Sequence, residues 1–144
     1  MKKSKFVSLV AMVFTLVAVS MTILIDSAEL FAVTVKQITV QEASQLIDSN
    51  SKSKSLVVLD VRTAEEFAED HIKDAKQLDF YAKDFKDQLA KLDKSKHYLV
   101  YCRSGSRSAK ATVIMSELGF AQISDIGGGM IAWEKARLPV VSGP

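Results

Sequence analysis

Tyr101–Ser108, with the sequence YCRSGSRS, joins an apolar run typical of a β-strand to a helical pattern. Cys102 is the only cysteine in a chain of 144 residues, and Arg103 and Arg107 lie close to it among small residues. Gly105 can adopt a positive φ, and the stretch contains no proline, so each of its residues offers a backbone amide. Convergent amides and the N-terminus of a following helix favour a thiolate or a bound anion. The stretch therefore predicts a strand, a tight anion-binding loop and a helix, in that order.

The residues on either side of this stretch alternate between strand and helix patterns. Leu56–Leu59 is a continuous apolar run typical of a strand buried on both faces, and Gln122–Ile126 is expected to be the last strand. Two capping-box sequences, which begin at Thr39 and Thr63, predict the first turns of two helices. This alternation predicts an α/β domain in which helices cover both faces of a parallel sheet. Ligands of such sheets bind at the carboxyl ends of the strands, which is where Cys102 falls.

Apolar spacing and turn residues predict the remaining elements of the domain. Apolar side chains recur at helical spacing over Phe85–Leu92, Ala111–Leu118 and Met130–Trp133. Lys76–Leu78 is expected to be a brief extended segment, and Gly127–Gly129 permits a tight turn before the last helix. No repeat or low-complexity tract interrupts this pattern, so one continuous domain is expected.

A separate apolar segment of uncharged residues, Phe6–Ile25, precedes the domain. As a helix it would span roughly 30 Å, the thickness of the hydrocarbon core of a bilayer. Lysines before it and acidic residues after it predict a cytoplasmic N-terminus and a domain outside the cytoplasm, in the periplasm or at the cell exterior. The cleavage-site sequences are poor, which favours a membrane anchor over a cleaved secretory signal. We therefore expect a signal peptide or signal-anchor helix over residues 1–32, a linker over residues 33–36 and the domain over residues 37–144.

Charge and cysteine content narrow the classes of function. The formal net charge is only +2, which gives no general case for a nucleic-acid partner. One cysteine and two scattered histidines lack the spacing of metal ligands, and no cofactor motif is present. Outside the cytoplasm even numbers of cysteines often pair, but Cys102 has no partner in the chain. It is therefore either an inert buried thiol or a reactive one.

A lowered thiol pKa alone brings a small gain in reactivity. A fall from about 8.5 to about 6.5 raises the thiolate fraction at pH 7 roughly 25-fold. Nucleophilicity falls with basicity at a Brønsted slope of about 0.4 to 0.5, which leaves a gain of about threefold. The arginines and amides around Cys102 are therefore expected to act mainly by holding an anionic substrate and stabilising the leaving group.

Six fragments, in this order and spacing, resemble the signature of a single-domain rhodanese, a thiosulfate:thiol sulfurtransferase. They are Asp60-Val61-Arg62, Glu66, His71-Ile72, the YCRSGSRS loop, Glu117-Leu118-Gly119-Phe120 and Gly128-Gly129-Met130-Ile131-Ala132-Trp133. The resemblance runs from about Ile38 to Val140, and it implies a rhodanese fold with five parallel strands between helices. It also implies a ping-pong reaction in which Cys102 takes the outer sulfur of thiosulfate as a persulfide and passes it to cyanide or a thiol.

The resemblance assigns roles to the residues of the loop. Cys102 would be the catalytic nucleophile, and the residues after it would bind the substrate: Arg103, Ser104, Gly105, Ser106, Arg107 and Ser108. The serines and the glycine are expected to act through their backbone amides. Asp60 and Arg62 are expected to support the site by tying the end of their strand to neighbouring loops. The implied partners are a small sulfur-containing anion and a thiol acceptor, which includes a thiol on another protein, and the membrane through the N-terminal helix.

Two other functions are compatible with the pattern. One is a non-catalytic rhodanese-like module that binds a sulfur-carrier or redox partner. The other is the chemistry of cysteine phosphatases and arsenate reductases, which by the resemblance have five residues between cysteine and arginine, whereas Cys102 and Arg107 have four. The chain departs from the rhodanese pattern at Asp74, where a glycine is usual, and this raises a question about the turn beside the site.

Overall fold

The computed structural model describes residues 34–143, which form one parallel sheet with helices on both faces. The sheet has the order β1-β5-β4-β2-β3, and all of its pairings are parallel. The strands are β1 (Thr34–Ile38), β2 (Leu56–Asp60), β3 (Lys76–Gln77), β4 (His97–Tyr101) and β5 (Gln122–Ile126). The predicted five-stranded parallel sheet is therefore confirmed.

Helices connect these strands and bury an apolar stripe against each face. They are α1 (Val40–Ser49), α2 (Ala64–Glu69), α3 (Phe85–Ala90), α4 (Ser106–Glu117) and α5 (Gly129–Lys135). On one face, α3 and α4 pack Leu89 and Met115 into a cluster with strand residues. On the other face, α1 and α5 pack Ala43 and Trp133 into a second cluster. The right-handed crossovers of parallel strands place helices on both sides in this way.

Both predicted capping boxes are present and fix the starts of two helices. The Glu42 amide donates to Thr39 Oγ1 at 3.2 Å, and the Thr39 amide donates to Glu42 Oε2 at 2.8 Å. At the start of α2 the Glu66 amide donates to Thr63 Oγ1 at 3.3 Å, and the Thr63 amide donates to Glu66 Oε2 at 3.2 Å. Each box satisfies amides that the helix itself leaves without acceptors.

Two boundaries differ from the sequence predictions. The linker expected over residues 33–36 is wrong for residues 34–36, because Thr34–Ile38 pairs with Gln122–Ile126 as an edge strand. An edge strand pairs on one side only and needs no continuous apolar run, so its sequence signal is weak. The helix expected from Ala111 begins earlier, at Ser106, because polar residues form its first turn as well as the loop.

The predicted segment over residues 1–32, with its apolar part at 6–25, lies outside the described residues, as do Val33 and Pro144. Within residues 34–143, every helix is too short or too polar to cross a bilayer. The membrane or signal segment, the division of the chain at residue 32 and the location outside the cytoplasm remain predictions.

Candidate active site

Cys102 directly follows the central strand β4, at the carboxyl edge of the sheet, and is 1% exposed. The first turn of α5 holds the backbone of the loop from the other side. The Met130 amide donates to the Cys102 carbonyl at 2.9 Å, and the Ile131 amide donates to the Arg103 carbonyl at 3.0 Å. The end of β4 therefore positions the thiol together with the start of α5, the helix that follows the neighbouring strand β5.

Gly129 makes this contact between α5 and the loop feasible. Its φ is +54°, and a Cβ added at this position would lie 2.1 Å from the Cys102 carbonyl oxygen. A side chain here would collide with backbone, which has no room to move without displacing the cysteine loop. The second glycine of the Gly128-Gly129 pair in the resemblance is thus required by close backbone approach.

The loop surrounds the sulfur of Cys102 with hydrogen-bond donors. Gly105 adopts φ +95°, and its amide donates to Cys102 Sγ at 3.2 Å. Burial raises the pKa of the thiol, but the Ser108 amide and hydroxyl and the amides of Ser104 and Gly105 outweigh it. The pKa of Cys102 therefore lies below its ordinary value, because donors that stabilise the thiolate surround it.

Helix α4 begins within the predicted loop and contributes its first turn to the site. Gly105 is its N-cap residue, so Ser106, Arg107 and Ser108 are helical. The positive end of the helix therefore lies next to the sulfur, where it favours a negative charge. Ser108 is fully buried, and its hydroxyl donates to the Gly105 carbonyl at 3.1 Å.

Arg107 lies beside the site, and its guanidinium is bound by a carboxylate. Its Nη1 and Nη2 donate to Glu66 Oε2 and Oε1 at 2.6 and 2.7 Å. Its Cζ lies 5.6 Å from the centroid of the Tyr81 ring, which is exposed. Hydrogen bonding by Arg107 lowers the pKa of Glu66 to about 2, and the charge of a Cys102 thiolate contributes to raising the pKa of Arg107. The guanidinium is thus within electrostatic reach of the sulfur while its donors are engaged by Glu66.

Arg103 directly follows the buried thiol in sequence and is exposed. Within residues 34–143 its guanidinium has no ion-pair partner. The side chains of Ser104 and Ser106 are likewise exposed. Arg103 therefore offers a cation at the rim of the site.

Asp60 and Arg62 form a buried ion pair behind the loop. Asp60 is fully buried and Arg62 is 1% exposed. Arg62 Nε donates to both carboxylate oxygens of Asp60, at 2.9 and 3.1 Å, and Nη1 donates to Asp70 Oδ1 at 3.1 Å. The Arg62 guanidinium also lies over the Tyr101 ring, with Cζ 5.8 Å from its centroid. Through Arg62 these contacts join the end of β2 to Asp70, which follows α2.

The sequence analysis named Glu66 as part of the resemblance but assigned no site role to Glu66 or to Tyr81. Glu66 was assigned to a capping box, and its Oε2 both caps α2 and accepts from Arg107. Tyr81 follows Phe80 in a loop, and the two adjacent aromatic residues were the available sequence signal. Asp74 has φ +62°, which explains why glycine suits this position, and aspartate is among the residues that tolerate it.

Within the described residues, no group of three His, Cys, Asp or Glu side chains is placed to hold a metal ion.

A family model, curated relatives and solved structures all match this chain to the same family. Residues 39–136 match the family described as Rhodanese-like domain. A sulfurtransferase of Allochromatium vinosum is 33% identical over 102 residues, which cover 67% of this chain and 94% of that protein. Thiosulfate sulfurtransferase GlpE of Coxiella burnetii is 36% identical over 104 residues, which cover 72% of this chain and 91% of that protein. The crystal structure of a rhodanese-related protein from Thermoplasma volcanium has a TM-score of 0.62 at 29% identity and covers 74% of this chain and 97% of its own.

Proposed function

Because the chain belongs to the rhodanese-like domain family, we propose that it is a sulfurtransferase that carries sulfane sulfur on Cys102. In the first half-reaction the Cys102 thiolate attacks the outer sulfur of thiosulfate. The sulfur–sulfur bond of thiosulfate breaks, and sulfite leaves with the bonding electron pair. Cys102 retains one sulfur as a persulfide anion, so charge balances without a proton transfer. In the second half-reaction the terminal sulfur passes to cyanide or to an acceptor thiolate, and the Cys102 thiolate is regenerated.

The observation that carries this proposal is the ring of donors around Cys102 Sγ. The Gly105 amide donates to the sulfur at 3.2 Å, and the amides of Ser104 and Ser108 act on it as well. The same donors suit the negative terminal sulfur of a persulfide, because preorganised amides stabilise charge without reorganisation. The same donors therefore stabilise both the free Cys102 thiolate and the Cys102 persulfide.

Two arginines support the choice of an anionic sulfur donor. The guanidinium of Arg103 is exposed at the rim, where it can meet the sulfonate end of thiosulfate. Arg107 acts on the sulfur at longer range, with its charge partly balanced by Glu66. We propose that Arg103 binds the donor directly and that Arg107 fixes the first turn of α4. The Coxiella burnetii relative is named for thiosulfate, and a polysulfide or a low-molecular-weight persulfide carries the same sulfane sulfur.

Steady-state kinetics test the proposal. Thiocyanate formation from thiosulfate and cyanide, measured over a grid of both substrates, should give the parallel double-reciprocal lines of a ping-pong reaction. Cys102→Ser should abolish turnover, and Arg103→Met should raise KM for thiosulfate more than it lowers kcat. Intersecting lines, or activity that survives in Cys102→Ser, would contradict a persulfide on Cys102.

The burial of the thiol favours one alternative, a binding module that receives a partner protein without turnover. Cys102 is 1% exposed, so an acceptor must reach the sulfur through the rim of the loop. A module of this kind needs the fold and the rim, and Cys102→Ser would retain both partner binding and function in cells. A sulfurtransferase loses its function in cells with the same substitution, so complementation by Cys102→Ser separates the two.

We further propose that residues 6–25 anchor the domain to a membrane with the active site outside the cytoplasm. The proposal rests on the uncharged apolar run and on the lysines that precede it. Carbonate extraction of membranes tests the anchor, because an inserted helix stays with the lipid. Release of the full-length chain into the supernatant would contradict it.

A further inference from the structure

Asp125 is a buried carboxylate that the sulfur-transfer chemistry does not use. It lies near the carboxyl end of β5, in register with Val100 of β4 and Gln37 of β1. The residue is 5% exposed, and its Oδ1 is buried without a hydrogen-bond partner among the described residues. Buried polar atoms are rarely left in this state, and an exception suggests a functional reason.

The sheet register places Asp125 beneath the cysteine loop. Side chains alternate along a strand, so Val100 and Cys102 face the same side of the sheet. Ile123, two residues before Asp125, packs with Met115 of α4 in one apolar cluster with Cys102. Asp125 therefore faces the same helix, one step further toward its first turn.

Ser108, in that first turn, is the residue of α4 that acts on both groups. It is fully buried, and hydrogen bonding by its hydroxyl lowers the pKa of Cys102 and offsets part of the rise in the pKa of Asp125. A hydroxyl has one proton, which it can give to one acceptor at a time. Here the competing acceptors are the sulfur, the Asp125 carboxylate and the Gly105 carbonyl, which receives it at 3.1 Å.

The groups that act on Asp125 from the neighbouring elements carry no charge. Burial raises the pKa of Asp125, and the Ser108 hydroxyl from α4 and the Gln37 amide from β1 offset only part of that effect. Val100 on β4 is apolar. Among the described residues no ionised side chain acts on this carboxyl. The titratable group that Ser108 also acts on is Cys102, whose charge contributes to raising the pKa of Arg107.

We propose that Asp125 is a positioning residue for Cys102 that acts through the Ser108 hydroxyl. The ionised carboxylate accepts a hydrogen bond from the Ser108 hydroxyl, which then cannot donate to the sulfur. The neutral acid instead donates a hydrogen bond to Ser108 Oγ, which leaves the hydroxyl hydrogen of Ser108 free to donate to Sγ. Ionised Asp125 thereby limits how far the Ser108 hydroxyl stabilises the thiolate, which preserves nucleophilicity because a more basic thiolate attacks faster.

The thiol titration tests this inference without any sulfur donor. The rate of alkylation of Cys102 by iodoacetamide, followed by intact mass from pH 5 to pH 10, reports the thiolate fraction. The variants are Asp125→Asn, Ser108→Ala and the double variant, with Asp48→Asn, an exposed aspartate on α1, as the matched control. Circular dichroism establishes that each variant is folded.

Asp125→Asn should lower the apparent pKa of Cys102 by about 0.5 unit or more, which gives about threefold more thiolate below that pKa. In the Ser108→Ala background the same substitution should shift it by less than about 0.2 unit, because the linking hydroxyl is gone. Asp48→Asn should leave the profile unchanged.

An unchanged Cys102 pKa in folded Asp125→Asn would overturn the inference. So would an equal shift with and without the Ser108 hydroxyl, since that would indicate a direct charge effect. The inference rests on the proposed function only in taking Cys102 as the reacting group. If alkylation behaves as expected but no persulfide forms, the proposed function fails and the coupling stands; the reverse pattern removes the coupling alone.

Discussion

Arg107 and Glu66 form a bidentate ion pair that joins the first turns of two helices, α4 and α2, across 41 positions of sequence. The two donor–acceptor distances are 2.6 and 2.7 Å, and the side chains are 15% and 24% exposed. The geometry matches the planar fork of arginine to the two carboxylate oxygens. The pair therefore fixes the helix that begins within the cysteine loop, and it balances part of the positive charge beside the sulfur.

Removal of the Glu66 charge should destabilise the fold in a pH-dependent way. The folded-state pKa of Glu66 is lowered to about 2, so its stabilisation is fully present above the unfolded pKa and is lost as the pH falls toward 2. Glu66→Gln should lower the free energy of unfolding at pH 7 by about 1 kcal/mol, with allowance for solvent screening. Urea unfolding at pH 7 and pH 3 should show the difference from wild type shrinking at the lower pH.

The exposed Glu69→Gln, on the same helix, is the control and should change stability by less than about 0.5 kcal/mol. A Glu66→Gln variant as stable as wild type at pH 7 would mean that the pair contributes nothing net.

Substitution of Gly129 should disrupt the cysteine loop, because an added Cβ meets the Cys102 carbonyl at 2.1 Å. Gly129→Ala should destabilise the domain by about 3 kcal/mol and slow alkylation or loading of Cys102. Gly119→Ala is a matched control with a positive φ of +82° but no atom within 4 Å, and it should cost only about 1 kcal/mol. Equal losses of stability in the two variants, measured by urea unfolding, would exclude close backbone approach as the reason.

Arg62 should contribute to stability rather than to chemistry. Its removal leaves Asp60 as a buried charge without its partner, and Arg62→Met should therefore destabilise the domain by about 3 kcal/mol. The exposed Arg137→Met should change stability by less than about 0.5 kcal/mol. Thermal unfolding measures both. A folded Arg62→Met that is as stable as wild type but loses sulfur transfer would assign Arg62 to the substrate instead.

Asp125 should make the fold less stable as the pH rises. Burial raises its folded-state pKa, so the folded state holds a proton that the unfolded chain releases at lower pH. Stability is therefore lost as the pH rises through the folded-state pKa, and Asp125→Asn should be more stable than wild type at pH 7 by about 1 kcal/mol. Urea unfolding at pH 7 and pH 4 should show the advantage of the variant shrinking at pH 4. A variant that is less stable than wild type at pH 7 would contradict a buried, poorly satisfied carboxylate.

Local signals in the sequence predicted most of the fold. The capping boxes at Thr39 and Thr63 and the apolar run at Leu56–Leu59 each carry their own physical cause, and the structure has all three. Strand β1 was missed because Thr34–Ile38 has neither a continuous apolar run nor a strict alternation of polar and apolar residues. The start of α4 was missed because Ser106 and Arg107 serve a loop and a helix turn equally well.

The site was predictable in composition but less so in its contacts. The loop amides follow from Cys102 and Gly105 because they are neighbours in sequence. The pairing of Arg107 with Glu66 and the approach of Asp125 to Ser108 depend on the order of strands in the sheet, which the sequence pattern did not specify. Long-range contacts of this kind need the tertiary structure.

The central claim is a sulfur atom carried on Cys102, and intact-protein mass spectrometry tests it most directly. The purified, reduced chain is measured before thiosulfate, after thiosulfate and after a final addition of cyanide, beside Cys102→Ser. The account predicts a gain of about 32 Da, one sulfur atom, that disappears with release of thiocyanate and never forms in Cys102→Ser. A folded, reduced protein that gains no mass from thiosulfate or from a polysulfide would contradict the account.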